Sequence, residues 1–109
     1  MIRHCVFIRF KTDTSSVEKN AIYADIAALK AHIPGLLAVH AGANVSPETG
    51  MDKGYGDGFI VDFANAHARD AYLDDAEHAK VGARIIAASI GGANGIFVFD
   101  IEAADIIDA

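Results

Sequence analysis

Apolar and polar positions alternate from Ile2 to Lys11. Ile2, His4, Val6, Ile8 and Phe10 fall on one side, and Arg3, Cys5, Phe7, Arg9 and Lys11 on the other. A period of two with β-branched and aromatic residues predicts a strand. Its second side is mixed, because Cys5 and Phe7 interrupt the charges. Thr12 to Ser16 predicts a polar turn. Ser15 with Glu18 three residues on matches a capping box, which gives partners to free backbone donors at a helix start. Ile22, Ile26, Leu29 and Ile33 then recur at spacings of four, three and four, one apolar stripe of a helix that Pro34-Gly35 ends.

A weaker strand follows over Leu36 to Asn44, diluted by alanines and Gly42, and then a polar loop from Val45 to Gly54. Tyr55 to Phe63 predicts a third strand, with Phe59, Val61 and Phe63 sharing a face with Asp57, and Ile60 and Asp62 opposite. Asn65 is suited to cap a short helix over Ala66 to Leu73. Asp74 with Glu77 predicts a second cap, opening a helix from about Ala76 to Ala88. Gly91 and Gly92 end it, and Gly95 precedes a last strand, Ile96 to Glu102. Residues 1–102 are thus expected to form a single domain and 103–109 an acidic tail.

The order is strand, helix, strand, strand, two helices, strand. It predicts an α+β fold of the ferredoxin-like kind: one four-stranded antiparallel sheet with helices on one face. Helices on one face leave the other open. Yet the last strand is apolar on both sides, Ile96 and Val98 on one and Phe97, Phe99 and Ile101 on the other, and Cys5 and Phe7 add to the uncovered side. A free monomer rarely exposes so much contiguous apolar area. A second copy related by a two-fold axis is the expected cover. The alternative cover is the C-terminal tail, through Ile106 and Ile107.

Composition narrows the classes. The chain of 109 residues is 52% hydrophobic and carries a net charge of −6, with its nine basic residues scattered. That argues against a nucleic-acid surface. No apolar run is long enough for a membrane span, and the first residues lack a signal-peptide pattern. A single cysteine, Cys5, excludes an intramolecular disulfide. A cytoplasmic protein is the expectation. Asp74 and His78, at i and i+4, are only two ligands, so no metal site is expected, and no motif asks for a cofactor.

The ordered motifs resemble the stress-responsive α/β-barrel (Dabb) family. They are an opening H-x-V-x-I-x-F-K (His4, Val6, Ile8, Phe10, Lys11), Ile33-Pro34-Gly35 after the first helix, Gly42-x-Asn44-x-Ser46, Gly54-Tyr55 before a strand, and Asp70-x-Tyr72 followed by an acidic break and His78. The resemblance covers nearly the whole chain. It implies a dimeric α/β barrel closed by two sheets. One branch of the family consists of plant polyketide cyclases, in which a tyrosine and a histidine matching Tyr72 and His78 serve an intramolecular aldol condensation. A further first-strand histidine matches His4. The chain departs from that branch at Asp57, where a histidine is frequent, and in the break Asp75-Ala76-Glu77-His78, which lacks a proline.

Tyr72 and His78 would lie about 120° apart on one continuous helix and would not share a face. A break at Asp74–Asp75 lets them converge. The helix dipole favours a neutral His78 ring, suited to act as a base, while Asp74, Asp75 and Glu77 pull towards imidazolium. Tyr72 would donate to a substrate carbonyl, and His4 would orient. Val6, Ile8, Phe59 and Asp57 are the expected substrate contacts. Two readings stay open. One is a cofactor-independent cyclase or isomerase acting on a carbonyl compound. The other is a non-catalytic homodimer serving a stress response or binding a hydrophobic small molecule, with Tyr72, His78 and His4 as packing residues. A link to ferredoxin-like oxygenases that work without bound metal would rest on fold analogy alone.

Overall fold

The computed structural model describes residues 1–104. Four strands, β1 (Ile2–Ile8), β2 (Leu36–Ala43), β3 (Asp57–Phe63) and β4 (Ile96–Glu102), form one antiparallel sheet in the order β2-β3-β1-β4. Among the described residues three helices, α1 (Ser16–Ala28), α2 (Ala66–Leu73) and α3 (Ala76–Ala88), accompany the sheet, with 3-10 turns at Leu29–Ala31 and Gly92–Gly95. This is the ferredoxin-like architecture that the order of elements predicts.

Register sorts the side chains into two faces. On the helix side, cross-strand rows place Val39, Val61, His4 and Asp100 side by side, then Ala41, Phe59, Val6 and Val98. The core forms here, where Ile8, Ile22, Ile26, Val61 and Phe63 are buried with Tyr72. The opposite face carries the rows Asp62–Arg3–Ile101, Ile60–Cys5–Phe99 and Gly58–Phe7–Phe97. Gly58 is required in the last row, since a Cβ there would stand 2.8 Å from both the Phe7 ring and the Val6 carbonyl oxygen. Phe97, Phe99 and Ile101 remain 46%, 53% and 47% exposed, so no helix among the described residues covers this face. Cys5 is buried on it. At its far end Arg3 donates to Asp62 at 2.9 Å, and His40 lies 3.3 Å from the same carboxylate. Burial pushes the Asp62 carboxyl up, but hydrogen bonds from Arg3 and His40 outweigh it, and the group titrates below its ordinary value.

Several element ends differ from the sequence expectation. β1 stops at Ile8 rather than Lys11. Arg9 N–H instead donates to Gly95, Lys11 N–H to Ala88, and Phe10 bridges Ser89, so the alternation continues against the end of α3 instead of a strand. The apolar stripe from Ile22 to Ile33 runs over two elements, because the chain tightens into the 3-10 turn after Ala28. β3 starts at Asp57 and not Tyr55. The cap of α3 is Asp75, whose side chain accepts from His78 N–H at 3.0 Å. Asp74 instead closes α2 as its C-terminal cap. Asn65 caps α2 and Ser15 caps α1, as their positions predict. The alternative cover for the open face, through Ile106 and Ile107, lies outside the described residues.

Candidate functional site

The two-residue break between α2 and α3 brings Tyr72 and His78 into contact, with ring centroids 4.1 Å apart. Tyr72, the penultimate residue of α2, faces the sheet and is fully buried, its ring centroid 5.1 Å from that of Phe63. His78 is the third residue of α3. Asp75 caps its backbone N–H, and the other Asp75 oxygen accepts from His32 Nε2 at 3.0 Å, pinning the break to the end of the first helical segment. His4 comes from the centre of β1, and its ring stands edge-on to Tyr72 at 5.7 Å.

These three side chains line one cavity of about 190 Å³ between the sheet and the last two helices. Its walls are apolar: Val6 and Phe59 from the sheet, and Ile85 and Gly82 from α3. Leu73, Ile86 and Val98 also line it and are all largely exposed, which places the mouth beside the edge strand β4. The helices stop short of that edge, and Val98 is therefore open although it faces their side.

Inside, the polar groups are unevenly partnered. The Tyr72 hydroxyl and His78 Nδ1 are buried with no hydrogen-bond partner among the described residues. A buried polar atom left unmet costs about 1–3 kcal/mol, so both point to a ligand or solvent group that completes them. His4 is fully engaged on one side: its Nδ1 donates to Asp100 Oδ1 at 2.6 Å, and Asp100 Oδ2 accepts from Arg69 Nη1 at 2.8 Å. Burial pushes the Asp100 carboxyl up, but hydrogen bonds from Arg69 and His4 more than offset it, and the group titrates below its ordinary value. Asp100 thus stays ionised at neutral pH and can only accept.

Burial alone pushes the Tyr72 phenol well above its ordinary range, so it remains a neutral hydrogen-bond donor. His78 moves down from 6.5: burial disfavours its charged form and His4 adds repulsion, against opposing effects of Asp75 and the Leu73 backbone. Neither the helix dipole nor the acidic neighbours weighed from sequence is the largest influence; desolvation is, and the ring is held neutral. The unfolded chain therefore binds more protons at this residue just below pH 6.5. The stability it contributes is full above that value and is lost as pH falls through it towards the lower folded value. Thermal melts on either side of pH 6.5 will show this acid-side loss, and His78→Gln will flatten the slope.

Two expected substrate contacts lie elsewhere. Ile8 is fully buried in the core and does not reach the cavity. Asp57 accepts from Lys19 Nζ at 3.1 Å and lines a larger hollow of about 640 Å³ between the β2–β3 loop and the open sheet face. Sequence reasoning missed Asp100 and Arg69. The signal for Asp100 was a lone carboxylate inside the apolar strand IFVFDIE. Among the described residues no group of three or more His, Cys, Asp or Glu is placed to hold a metal ion, and no helix is long and apolar enough to cross a membrane.

Solved structures share this fold along nearly the full chain. A dimeric ferredoxin-like protein of unknown function from Jannaschia sp. CCS1 is 27% identical with a TM-score of 0.86, over 94% of this chain and 98% of its own. The At3g17210 protein of Arabidopsis thaliana is 20% identical with a TM-score of 0.84, covering 98% and 99%. A hydroxynitrile lyase from Passiflora edulis is 18% identical with a TM-score of 0.79, covering 98% and 96%. No curated protein matches the chain. The stress responsive A/B barrel domain model matches residues 2–103, a span that takes in all four strands, the three helices and the cavity between them. The chain is a member of the stress-responsive A/B barrel domain family.

Proposed function

We propose that the cavity binds a small carbonyl compound and catalyses proton transfer at the carbon beside the carbonyl, in a cyclisation or an isomerisation. The observation that carries this reading is the pair of unpartnered groups, Tyr72 hydroxyl and His78 Nδ1, side by side in one apolar cavity. One is a donor, and the other, in the reading proposed here with the neutral ring protonated on Nε2, is an acceptor. That is the pair needed to stabilise a developing enolate and to take its proton.

In this reading the α-proton passes to His78 Nδ1 and the C–H electron pair moves towards the carbonyl. The oxygen gains charge and is held by the Tyr72 hydroxyl. The enolate then either attacks an internal carbonyl, whose new alkoxide takes the proton back from His78, or is reprotonated at carbon by His78; both routes return the ring to its starting state. Val6 and Phe59 hold the apolar part of the substrate, and His4 orients it. At about 190 Å³ the cavity is below the usual range for drug-sized ligands, which favours a compact substrate. The fold likeness to a hydroxynitrile lyase is compatible with small-molecule chemistry and assigns none.

The functional unit in this proposal is a homodimer, with the open sheet faces of two copies closing a barrel. The exposed Phe97, Phe99 and Ile101 and the dimeric state of the Jannaschia protein support it. Deuterium incorporation at the methyl group of acetophenone in D2O, followed by NMR, tests the chemistry without knowledge of the natural substrate. The protein will accelerate exchange above the buffer rate. Exchange at the buffer rate across a panel of small ketones would leave the second reading, a hydrophobic-ligand binder, as the better one.

A further inference from the structure

We infer that Asp100, held by Arg69, is a positioning residue that fixes His4 as a hydrogen-bond acceptor facing the cavity, and that the site therefore selects carbonyl compounds carrying a neighbouring hydroxyl. His4 and Asp100 are direct cross-strand partners on the helix side of the sheet, and Nδ1 lies 2.6 Å from Oδ1. An ionised carboxylate only accepts, so the hydrogen of a neutral His4 ring sits on Nδ1. The lone pair is then on Nε2, on the side of the ring away from Asp100. His4 is buried and lines the cavity with Tyr72 and His78.

Arg69 makes this arrangement hard to reverse. Its Nη1 donates to Asp100 Oδ2 and its Nε to Asp70, each at 2.8 Å, so both Asp100 oxygens are spoken for and the carboxylate cannot turn. The cavity then offers one donor, the Tyr72 hydroxyl, and two acceptors, His78 Nδ1 and His4 Nε2. Its complement is a ligand with one carbonyl oxygen, one acidic C–H and one O–H. A site built to bond a hydroxyl discriminates strongly against the analogue that lacks it.

Substitution of Asp100 by asparagine makes a specific reversal. Arg69 still requires an oxygen, so the amide oxygen turns to Arg69 and the amide nitrogen faces His4. The amide donates to Nδ1, and the His4 hydrogen moves to Nε2. Long-range 1H–15N NMR of histidine-labelled protein, recorded without ligand at a pH where the rings are neutral, reads the tautomer directly. The wild type will show His4 protonated on Nδ1, and Asp100→Asn will show it on Nε2. In parallel, the wild type will bind 2-hydroxyacetophenone about tenfold more tightly than acetophenone, as one added hydrogen bond provides. Asp100→Asn will lose that preference.

A wild-type His4 protonated on Nε2 overturns the inference, even if Asp100→Asn fails to fold. So does an unchanged tautomer or an unchanged ligand preference in a folded Asp100→Asn. The inference rests on the carbonyl-site reading only for the ligand arm. If neither ketone binds, that reading fails, while the tautomer still decides the role of Asp100.

Discussion

His78→Ala will slow acetophenone α-exchange by roughly 10²–10⁴-fold, the range for removing a positioned general base. Tyr72→Phe will slow it by roughly 10²–10³-fold, as for loss of one donor to a developing oxyanion. The two substitutions act on one transition state, so the double variant will fall well short of the product of the single effects. Neither single change empties the core. Phenylalanine keeps the Tyr72 ring against Phe63, and it removes a hydroxyl that has no partner among the described residues. Tyr72→Phe will therefore retain or raise thermal stability while losing activity. A variant that lost both together would place Tyr72 among the packing residues instead.

Phe99→Asp will convert the proposed dimer to a particle of the 11.5 kDa chain mass. In the protomer Phe99 is 53% exposed and stacks on Phe97, with centroids 6.4 Å apart, while Phe97 also touches Phe7 and Tyr55. Each such ring, once covered, contributes about 1.5–3 kcal/mol. An unpaired carboxylate at the centre of that surface removes one ring's contribution and adds a desolvation cost of several kcal/mol. Light scattering at micromolar concentration measures the result, and circular dichroism separates dissociation from unfolding. Wild type at the single-chain mass would refute the dimer itself. The cavity mouth lies at β4, the strand that also carries the open face, so dissociation will change access to the site as well as mass.

Much of the fold was legible because its signals were local. Asn65, the Asp74–Asp75 pair and the glycines from Gly91 to Gly95 mark α2, α3 and β4 to the residue, since caps and breakers act within one turn of chain. The end of β1 was not legible. Arg9, Phe10 and Lys11 keep the strand alternation, and only the tertiary partner changes, from β4 to the end of α3. Which of two adjacent aspartates caps α3 was equally hidden, because the choice depends on the backbone angles at Asp74 and Asp75 and not on residue type.

The candidate site divides along the same line. Tyr72 and His78 could be paired from sequence because a helix break lies between them. His4 could be placed on the helix side from alternation alone. Asp100 stands 96 positions from His4 in the chain, and only the antiparallel β1–β4 register makes them neighbours. Ile8 and Asp57 share a strand face with cavity residues but lie where α1, through Lys19, closes the layer. A face can be read from period two; the extent of a cavity along that face depends on where helices begin and end above it.

We propose Tyr72 and His78 as a working acid–base pair in an apolar cavity. It is tested most directly by the rate of deuterium incorporation into acetophenone, with wild-type protein and the Tyr72→Phe/His78→Ala double variant compared at equal concentration. Exchange will exceed the buffer rate with the wild type and equal it with the double variant. Equal acceleration by both proteins would contradict it.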